Sequence, residues 1–219
     1  MTLEDEIKEN YKNRLNKNNL YNSVYSQFAQ NEKEKKLQSL LNEFVKINKT
    51  TTLLEIGAGQ GGNIPMLLNL GFTEHTIFAN ELLPERILAV KQKYPNIKIF
   101  EGDALSLNFN QKFDIVFQST VFTSILKNND RIILANKMWD ALTSNGIILW
   151  YDFIYNNPNN SDVKKVDINE VKKLFPFAHK TKILKVTLAP PIGRRVGKLY
   201  NLFNIPPLRS HILVAIQKK

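Results

Sequence analysis

The sequence contains no cysteine among its 219 residues. This absence excludes a disulfide scaffold, a cysteine-ligated zinc site, an iron–sulfur cluster and catalysis by a thiol. The three histidines, His75, His179 and His211, lie far apart and show no metal-ligand spacing, so we expect no metal site. No run approaches about eighteen apolar residues, and the polar start MTLEDEIKEN is unlike a signal peptide. We therefore expect a cytoplasmic protein without a transmembrane segment.

The net charge of +10 is concentrated in the C-terminal part of the sequence. Residues 160–219 hold thirteen basic and three acidic side chains, whereas the rest of the chain is nearly balanced. Such a segment can attract phosphate groups, an anionic membrane surface or nucleic acid. A lysine-rich solvated face explains the same composition equally well. Peripheral membrane contact through this segment is one of these open predictions.

The hydrophobic pattern changes near residue 50. Up to about residue 49 it is helical, with an apolar stripe of Leu37, Leu40, Leu41, Phe44 and Ile47. Beyond it, short β-branched runs alternate with helical stretches, which predicts an α/β domain whose parallel sheet is covered on both faces. We predict a helical N-terminal cap (1–49) on a single domain (50–219). Strands are expected at 52–56, 76–79, 97–100, 114–117, 146–153, 182–188 and 212–217, and helices near 63–70, 84–93 and 131–142.

The segment APPIGRRVGKLYNLFNIPP separates the last two expected strands. Its pattern predicts an amphipathic helix that ends before Pro206. The apolar face of that helix would comprise Ile192, Val196, Leu199, Tyr200 and Phe203, with Arg194, Arg195 and Lys198 off it.

A glycine-rich turn follows the first expected strand, in the sequence LLEIGAGQGGN from Leu53 to Asn63. Glycines let the backbone turn sharply and approach a ligand closely, and the next helix offers free N–H groups to an anion. Gly57, Gly59 and Gly62 satisfy the G-x-G-x-x-G pattern of dinucleotide sites. The pattern alone does not distinguish between nucleotide cofactors.

Acidic residues around this turn favour one cofactor. Glu55 lies two residues before Gly57, where dinucleotide-binding strands usually carry an apolar residue. The strand LLEIGAG resembles the first motif of the class I methyltransferases that use S-adenosylmethionine (SAM). Glu81 ends the next strand, where a carboxylate can bind both ribose hydroxyls. The sequences EGDA at 101–104 and FDIVF at 113–117 look like later motifs of the same family, so the resemblance covers about residues 50–155.

The resemblance implies a Rossmann-like doubly wound sheet of seven strands in the order 3-2-1-4-5-7-6, with strand 7 antiparallel. It also implies SAM as cofactor and S-adenosylhomocysteine (SAH) as product, with Asp103 near the adenine amino group. The cofactor-binding residues that it implies are Glu55, Gly57, Ala58, Gly59, Glu81, Leu82, Asp103, Ala104 and Gln118.

Structural roles are open for the same acidic residues. Glu55 can cap a neighbouring turn, and Glu81 and Asp103 can each cap a helix or form a turn at a strand end. A reductase alternative rests on the Tyr-x-x-x-Lys spacing of Tyr94 and Lys98. That pattern needs both side chains on one helical face, and Pro95 breaks any helix there.

The acceptor is expected outside the carboxyl ends of the strands. Methyl transfer to a hydroxyl needs a base, and the candidates are His211, at the start of the last strand, and then Asp152. A half-buried histidine bonded to backbone, or a loop-capping aspartate, explains each residue without catalysis. The substrate-binding candidates are Tyr11, Arg14, Asn156, Arg194 and Arg195.

The C-terminal third is similar to small methyltransferases found with bacterial surface-polysaccharide biosynthesis. The similarity rests on WYDF at 150–153, NNP at 156–158, APPI at 189–192 and RSH at 209–211. It implies methylation of a sugar hydroxyl, or a sugar-linked phosphate group, on a nucleotide- or lipid-linked carbohydrate precursor. An RNA methyltransferase is the alternative that the basic segment allows. Nucleic acid is nevertheless not expected, because QSTV at 118–121 replaces a base-methylating motif. A SAM-binding protein without catalysis is a third hypothesis.

Overall fold

The structure is a computed structural model that describes residues 23–158 and 160–219. Helices and strands alternate in it along the chain, as the sequence predicts. The helices are α1 (Val24–Phe44), α2 (Ile64–Asn69), α3 (Pro84–Lys93), α4 (Asn128–Asp140), α5 (Ile168–Leu174), α6 (Pro190–Val196) and α7 (Tyr200–Phe203). The strands are β1 (Leu53–Ile56), β2 (Ile77–Glu81), β3 (Lys98–Glu101), β4 (Phe113–Ser119), β5 (Leu142–Phe153), β6 (Lys180–Leu188) and β7 (Arg209–Gln217). Short 3-10 turns occupy Phe122–Ser124, Gly197–Leu199 and Pro206–Leu208.

One sheet contains all seven strands, in the order β3-β2-β1-β4-β5-β7-β6. The first five strands run parallel, and β7 pairs antiparallel with both β5 and β6. The predicted Rossmann-like α/β fold is therefore confirmed. The ends of β1, β2, β4, β5 and β6 meet the start of β7 at one edge, which we call the carboxyl edge.

Helices cover both faces of the sheet, so alternate residues of each strand enter two separate cores. On the first face, α1, α2 and α3 pack against residues such as Tyr151 and Leu213. On the second face, α4 and α5 pack against residues such as Trp150 and Val214. The fully buried side chains of β1, β2, β4 and β5 are apolar except near the carboxyl edge. In the described residues, no helix is long and apolar enough to cross a membrane.

The described part of the predicted N-terminal cap contains α1, which ends at Phe44. Ser23 caps α1 by accepting a hydrogen bond from the Ser26 N–H at 3.2 Å. Leu37, Leu40 and Leu41 are almost fully buried, as the apolar stripe predicts. The backbone turns extended at Val45, so Ile47 lies beyond the helix. Tyr11 and Arg14 lie outside the described residues.

The β6–β7 insertion (residues 189–208) is not the single amphipathic helix that the pattern predicts. Gly197, with φ of +52°, ends α6, and a 3-10 turn leads into the short α7. The break rotates the apolar positions apart, so Tyr200 is fully buried whereas Leu199 is 57% exposed. That prediction was wrong because helical periodicity does not anticipate a glycine in the left-handed region. The insertion instead packs on α1, where Tyr25 lies against Gly193.

Candidate functional site

The glycine turn after β1 has the backbone of a ligand cradle. Gly57 and Gly59 have φ of +65° and +59°, a conformation that side chains with a Cβ adopt at a cost. A Cβ at Gly57 would also lie 2.7 Å from Cγ2 of Val121, in the turn after β4. Gly62 has an ordinary φ and nothing within 4 Å of its Cβ position. Two of the three glycines of the sequence pattern are therefore required by the backbone, and the third is not.

We predict that alanine destabilises the protein strongly at Gly57 and hardly at all at Gly62. Gly57→Ala should lower the free energy of unfolding by about 2–4 kcal/mol, because left-handed strain and overpacking against Val121 add together. Gly62→Ala should change it by less than about 0.5 kcal/mol. Urea denaturation measures both values. Adding Val121→Ala should restore part of the loss in Gly57→Ala, and an unchanged double variant would contradict the proposed clash.

Glu81 connects the glycine turn to the end of β2. Its side chain is 4% exposed, and its two oxygens accept the N–H of Gly59 at 2.7 Å and of Leu83 at 3.0 Å. Leu82 follows directly and is half-buried. The carboxylate therefore lies beside the turn at the carboxyl edge, where it can accept hydrogen bonds from a pair of ribose hydroxyls.

Asp103 and Ala104 lie beside Glu81, in the turn that leaves β3. The Gly102 N–H donates to the Glu81 carbonyl at 2.9 Å, and Asp103 accepts the Leu105 N–H at 2.9 Å. Asn80 holds this turn, because its side-chain amide donates to the carbonyls of both Phe100 and Gly102. Sequence reasoning missed Asn80, although it directly precedes Glu81. Asp103 and Ala104 are half-buried beside Glu81, where they can contact a cofactor bound at the carboxyl edge.

Glu55 is a fully buried carboxylate with one unsatisfied oxygen. Oε1 accepts the Asn63 side-chain amide at 2.6 Å, and Oε2 has no partner among the described residues. Burial raises the pKa of Glu55 to about 7. An unpaired buried oxygen costs free energy unless a donor reaches it. The α-amino group of SAM is such a donor, so the Glu55 oxygen and the glycine cradle fit this cofactor.

Lys33 reaches the same place from α1, and the sequence reasoning missed it. Its Nζ donates to Oδ1 of Asn63 at 2.7 Å and lies 5.0 Å from the centroid of the Tyr151 ring. Burial lowers its pKa to about 8, and the charge of Glu55 opposes that shift. Lys33 lies four residues before Leu37, so it occupies the apolar stripe of the helix. A lysine in that register is the sequence feature that could have identified it.

We predict that Lys33→Met stabilises the protein. The pKa of Lys33 is lower in the folded chain than the usual 10.5, because burial disfavours the charged ammonium. The contribution of Lys33 to stability is therefore fully present above 10.5, where the amine is neutral, and is lost as pH falls through about 8. At pH 7 methionine should therefore raise the free energy of unfolding by about 1–3 kcal/mol. That gain should shrink as pH rises toward about 10. Urea denaturation between pH 7 and about 10 measures this gain, and Lys36→Met, at an exposed lysine, is the control. A stability difference between Lys33→Met and the wild type that does not vary with pH would contradict the explanation.

His211 lies at the carboxyl edge on the first face of the sheet. Its ring stacks on Tyr151 at 5.0 Å between centroids, and Nδ1 is 3.0 Å from Oγ of Ser210. Ser210 in turn donates to the Thr187 carbonyl at 3.5 Å. Burial, and then the charge of Lys33, lower the pKa of His211 to about 4. The imidazole is therefore neutral near pH 7.

Asp152 lies on the opposite face of the sheet from His211. Its oxygens accept the Gln118 side-chain amide at 3.1 Å and the Thr123 hydroxyl at 2.7 Å, and all three residues are almost completely buried. Gln118 also accepts the Val121 N–H at 3.1 Å. Burial raises the pKa of Asp152 to about 7. Asp152 and Gln118 therefore shape the turn that presses Val121 against the glycine loop, and they do not share a surface with His211.

The predicted substrate residues are not brought together as a group. Arg194 and Arg195 are exposed in the last turn of α6. Burial raises the pKa of Tyr25 to about 12, and the charge of Arg194 opposes that shift. Asn156 is exposed, and its side-chain oxygen accepts the Lys165 N–H at 2.9 Å, which closes the loop after β5. In the structure, the Asn156 side chain therefore stabilises this loop.

A hydrogen-bonded cluster joins α1 to the β6–β7 insertion. Glu32 Oε2 accepts the Tyr200 hydroxyl at 2.6 Å and the Thr187 N–H at 3.0 Å, and the Tyr151 hydroxyl lies 2.9 Å from Oγ1 of Thr187. Thr187 has φ of +61°, a strained value that these contacts hold in place. Glu32 Oε1 is buried without a partner in the described chain. No group of three metal-ligating side chains occurs among residues 23–158 and 160–219.

Comparisons with known proteins identify a methyltransferase domain and similar folds. Residues 53–146 match the model of a family described as "Methyltransferase domain". No curated protein matches the chain. The fold is similar to that of the N-methyltransferase NodS from Bradyrhizobium japonicum in complex with SAH, at 13% identity and a TM-score of 0.66, over 91% of this chain and 90% of that one.

Two further solved structures share the fold. A TehB-like SAM-dependent methyltransferase from Corynebacterium glutamicum has 13% identity and a TM-score of 0.60, over 99% of this chain and 98% of that chain. Phosphoethanolamine N-methyltransferase 1 from Haemonchus contortus has 14% identity and a TM-score of 0.67, over 100% of this chain and 50% of that chain. Residues 53–146 thus match a methyltransferase domain, and the glycine turn, Glu55 and Glu81 have a geometry that fits SAM.

Proposed function

We propose that the chain is a SAM-dependent methyltransferase that methylates a hydroxyl of a sugar, or a sugar-linked phosphate group, on an anionic precursor of a surface glycan. The observation that carries the proposal is a neutral histidine, His211, at the carboxyl edge beside the buried cation Lys33. SAM supplies an electrophilic methyl group when bound. The residues of the chain must align the acceptor oxygen and receive its proton.

A sugar hydroxyl is a poor nucleophile until a base takes its proton as the new O–C bond forms. In the proposed arrangement, the Nδ1–H of His211 donates to Ser210, whose hydroxyl donates to the Thr187 carbonyl. Nε2 is then the free acceptor, and the acceptor O–H bond breaks with its proton moving to Nε2. Ser210 acts as a positioning residue, because it selects this tautomer.

An anionic acceptor would make His211 a stronger base. The positive charge of Lys33 is one cause of the low pKa of His211. A phosphate or carboxylate beside Lys33 would offset that charge and raise the pKa of the imidazole toward neutrality, where a general base works best. Arg194 and Arg195 are near the same edge and can hold the anion, and no acidic residue follows Glu170 in the sequence. These features support a nucleotide- or lipid-linked carbohydrate.

An amine acceptor is the second candidate, and Glu32 favours it. One buried oxygen of this carboxylate is unpaired, and the rings of Tyr25 and Tyr200 lie close by, 5.9 Å apart. A carboxylate between aromatic rings suits a cationic amine. NodS and the Haemonchus protein, whose folds are similar, are both N-methyltransferases by name. Lys33 opposes this candidate, because it would repel the same amine.

Transfer from tritiated SAM to defined acceptors distinguishes the candidates. The wild-type enzyme is incubated with nucleotide sugars, with lipid-linked sugar phosphates, with small amines and with RNA, and each product is hydrolysed and separated. The proposal predicts label in a sugar methyl ether or in a methyl phosphate ester. Label in an amine would favour the second candidate, and label in RNA would overturn both. A protein that binds SAH but labels none of these acceptors would support the binding protein without catalysis.

A further inference from the structure

The outer surface of the β6–β7 insertion is unusually apolar. Leu199, Leu202, Phe203 and Ile205 are 57%, 72%, 38% and 49% exposed. They lie within seven consecutive residues, whereas the other large exposed apolar side chains of the described chain occur singly or, at Ile132 and Ile133, as one pair. Single exposed apolar residues are ordinary, but a cluster of this kind marks an interaction surface. We call these four residues the apolar patch.

Basic side chains flank the apolar patch. Arg194, Arg195 and Lys198 are exposed in the same insertion. The insertion itself contains no acidic residue. The insertion therefore combines charges of positive sign alone with the apolar patch that follows them in the sequence, which is the composition of a segment that lies at the interface of an anionic membrane.

Internal contacts hold the apolar patch outward. Tyr200 is fully buried between Tyr25 and Phe28, and its ring stacks on Phe28 at 5.5 Å. At the far end, Arg209 donates to both the side-chain oxygen and the carbonyl of Asn204. The insertion is thus fixed on both sides of the patch. Its exposed leucines cannot rotate into the core without breaking these contacts.

We propose that the apolar patch and its flanking basic residues dock the enzyme on an anionic lipid membrane. The insertion connects the end of β6 to the start of β7, so the docking surface lies at the carboxyl edge, the same edge as the cofactor site and His211. Docking therefore brings the site to a lipid-linked acceptor while the acceptor stays in the bilayer. This inference deepens the proposed function and rests on it for the acceptor, but docking itself is measurable without any acceptor.

Other occupants fit the surface less well. Nucleic acid would require aromatic side chains for base stacking, and Phe203 is the sole aromatic residue of the apolar patch. In a two-fold contact between two copies, Arg194, Arg195 and Lys198 would face their own counterparts. Like charges that meet in this way oppose association. A membrane provides both the apolar phase and the negative charge.

Vesicle sedimentation of the full chain, without cofactor or acceptor, tests the docking. The wild type should bind vesicles of phosphatidylcholine with phosphatidylglycerol and should bind phosphatidylcholine alone much more weakly. The pair Leu202→Ser and Ile205→Ser should weaken binding at least about tenfold, because two side chains lose their apolar environment. Arg194→Gln with Arg195→Gln should weaken it about fivefold for each charge and remove most of the salt dependence.

Matched controls come from the opposite edge of the sheet. Phe177→Ser removes an apolar side chain that is 83% exposed just before β6, and Lys172→Gln with Lys173→Gln removes two exposed charges of α5. Both should bind vesicles as the wild type does. SAH titration and thermal melting verify that every variant is folded.

Several results would overturn the docking. One is a wild type that does not bind vesicles, and another is an equal loss of vesicle binding in the control variants. The others are wild-type binding to an RNA oligonucleotide in preference to vesicles, and a wild-type dimer in solution that Leu202→Ser dissociates. Failure of the two proposals is distinguishable. Vesicle binding without methylation of any carbohydrate would refute the proposed function alone, whereas methylation of a soluble sugar by a protein that ignores vesicles would refute the docking alone.

Discussion

Replacing His211 by asparagine is expected to lower the rate of methyl transfer by a factor of about 10² to 10⁴, the usual contribution of a general base. Affinity for SAH should change by less than about twofold, because the loss concerns the acceptor proton rather than the cofactor. The measurement is the initial rate with tritiated SAM and the acceptor found by the screen described above. His179→Asn replaces an exposed histidine directly before β6, is the matched control and should retain the wild-type rate.

The pH profile separates a base from a merely structural histidine. The folded pKa of His211 is about 4, below the usual 6.5, so the imidazole stays neutral down to that pH. Its contribution to stability is complete above about 6.5 and is lost as pH falls through about 4. The profile of kcat/KM, which reports the free enzyme, should therefore show no acidic limb near 6.5. An acidic limb of kcat/KM at 6.5, or a His211→Asn variant with normal turnover, would contradict the assignment.

Asp152→Asn distinguishes the two predicted bases. Asp152 is completely buried, and both of its oxygens already accept hydrogen bonds. Its substitution should act through the turn at Val121 and so change affinity for SAH and stability together. If Asp152→Asn abolished turnover while leaving SAH affinity and stability intact, Asp152 and not His211 would be the base.

Replacing Glu81 by alanine is expected to weaken SAH binding at least about a hundredfold. Each hydrogen bond from a ribose hydroxyl to a carboxylate contributes about 1.5–3 kcal/mol, and the variant loses two of them. The variant also frees the N–H groups of Gly59 and Leu83, which Glu81 holds in the described structure. Glu81→Gln keeps one acceptor oxygen and should fall between the wild type and alanine. Calorimetric titration measures all three affinities.

Glu101→Ala is the matched control for Glu81. Glu101 ends β3 directly opposite Glu81 in the sheet register, but it is exposed and forms an ion pair with Lys91 at 2.6 Å. Its loss should leave SAH affinity unchanged, because exposed ion pairs contribute little. Equal losses in the Glu81 and Glu101 variants would indicate a general effect of negative charge at this edge, and would contradict a specific ribose contact.

The cofactor half of the site could be predicted from the sequence because its determinants are local. A glycine that must adopt a positive φ and a carboxylate at a strand end leave a pattern within a few residues, as Gly57 and Glu81 do. The sheet order followed from the resemblance to class I methyltransferases and is confirmed. The ends of several elements were less predictable, since β5 begins four residues before the predicted position, with an irregular register opposite Phe113.

The acceptor half depends on contacts between distant residues, which periodicity does not reveal. Lys33 comes from α1 and reaches Asn63 and Tyr151, although a lysine in a helix is ordinarily assigned to solvent. His211 and Asp152 share the carboxyl edge, but the register pairs His211 with Phe153, so the alternation of β5 places Asp152 on the other face. The assignment of His211 and Asp152 to opposite faces therefore requires the register between β5 and β7, which the sequence pattern does not provide.

The central claim is that the site around Gly57, Glu55 and Glu81 binds SAM. The most direct test is calorimetric titration of the purified full-length wild-type chain with SAH, beside an identical titration with NAD. We predict saturable binding of SAH at one site for each chain and no binding of NAD. Binding of NAD in place of SAH would contradict the claim and make the glycine turn a dinucleotide site, and binding of neither would leave the site without the cofactor that its geometry fits.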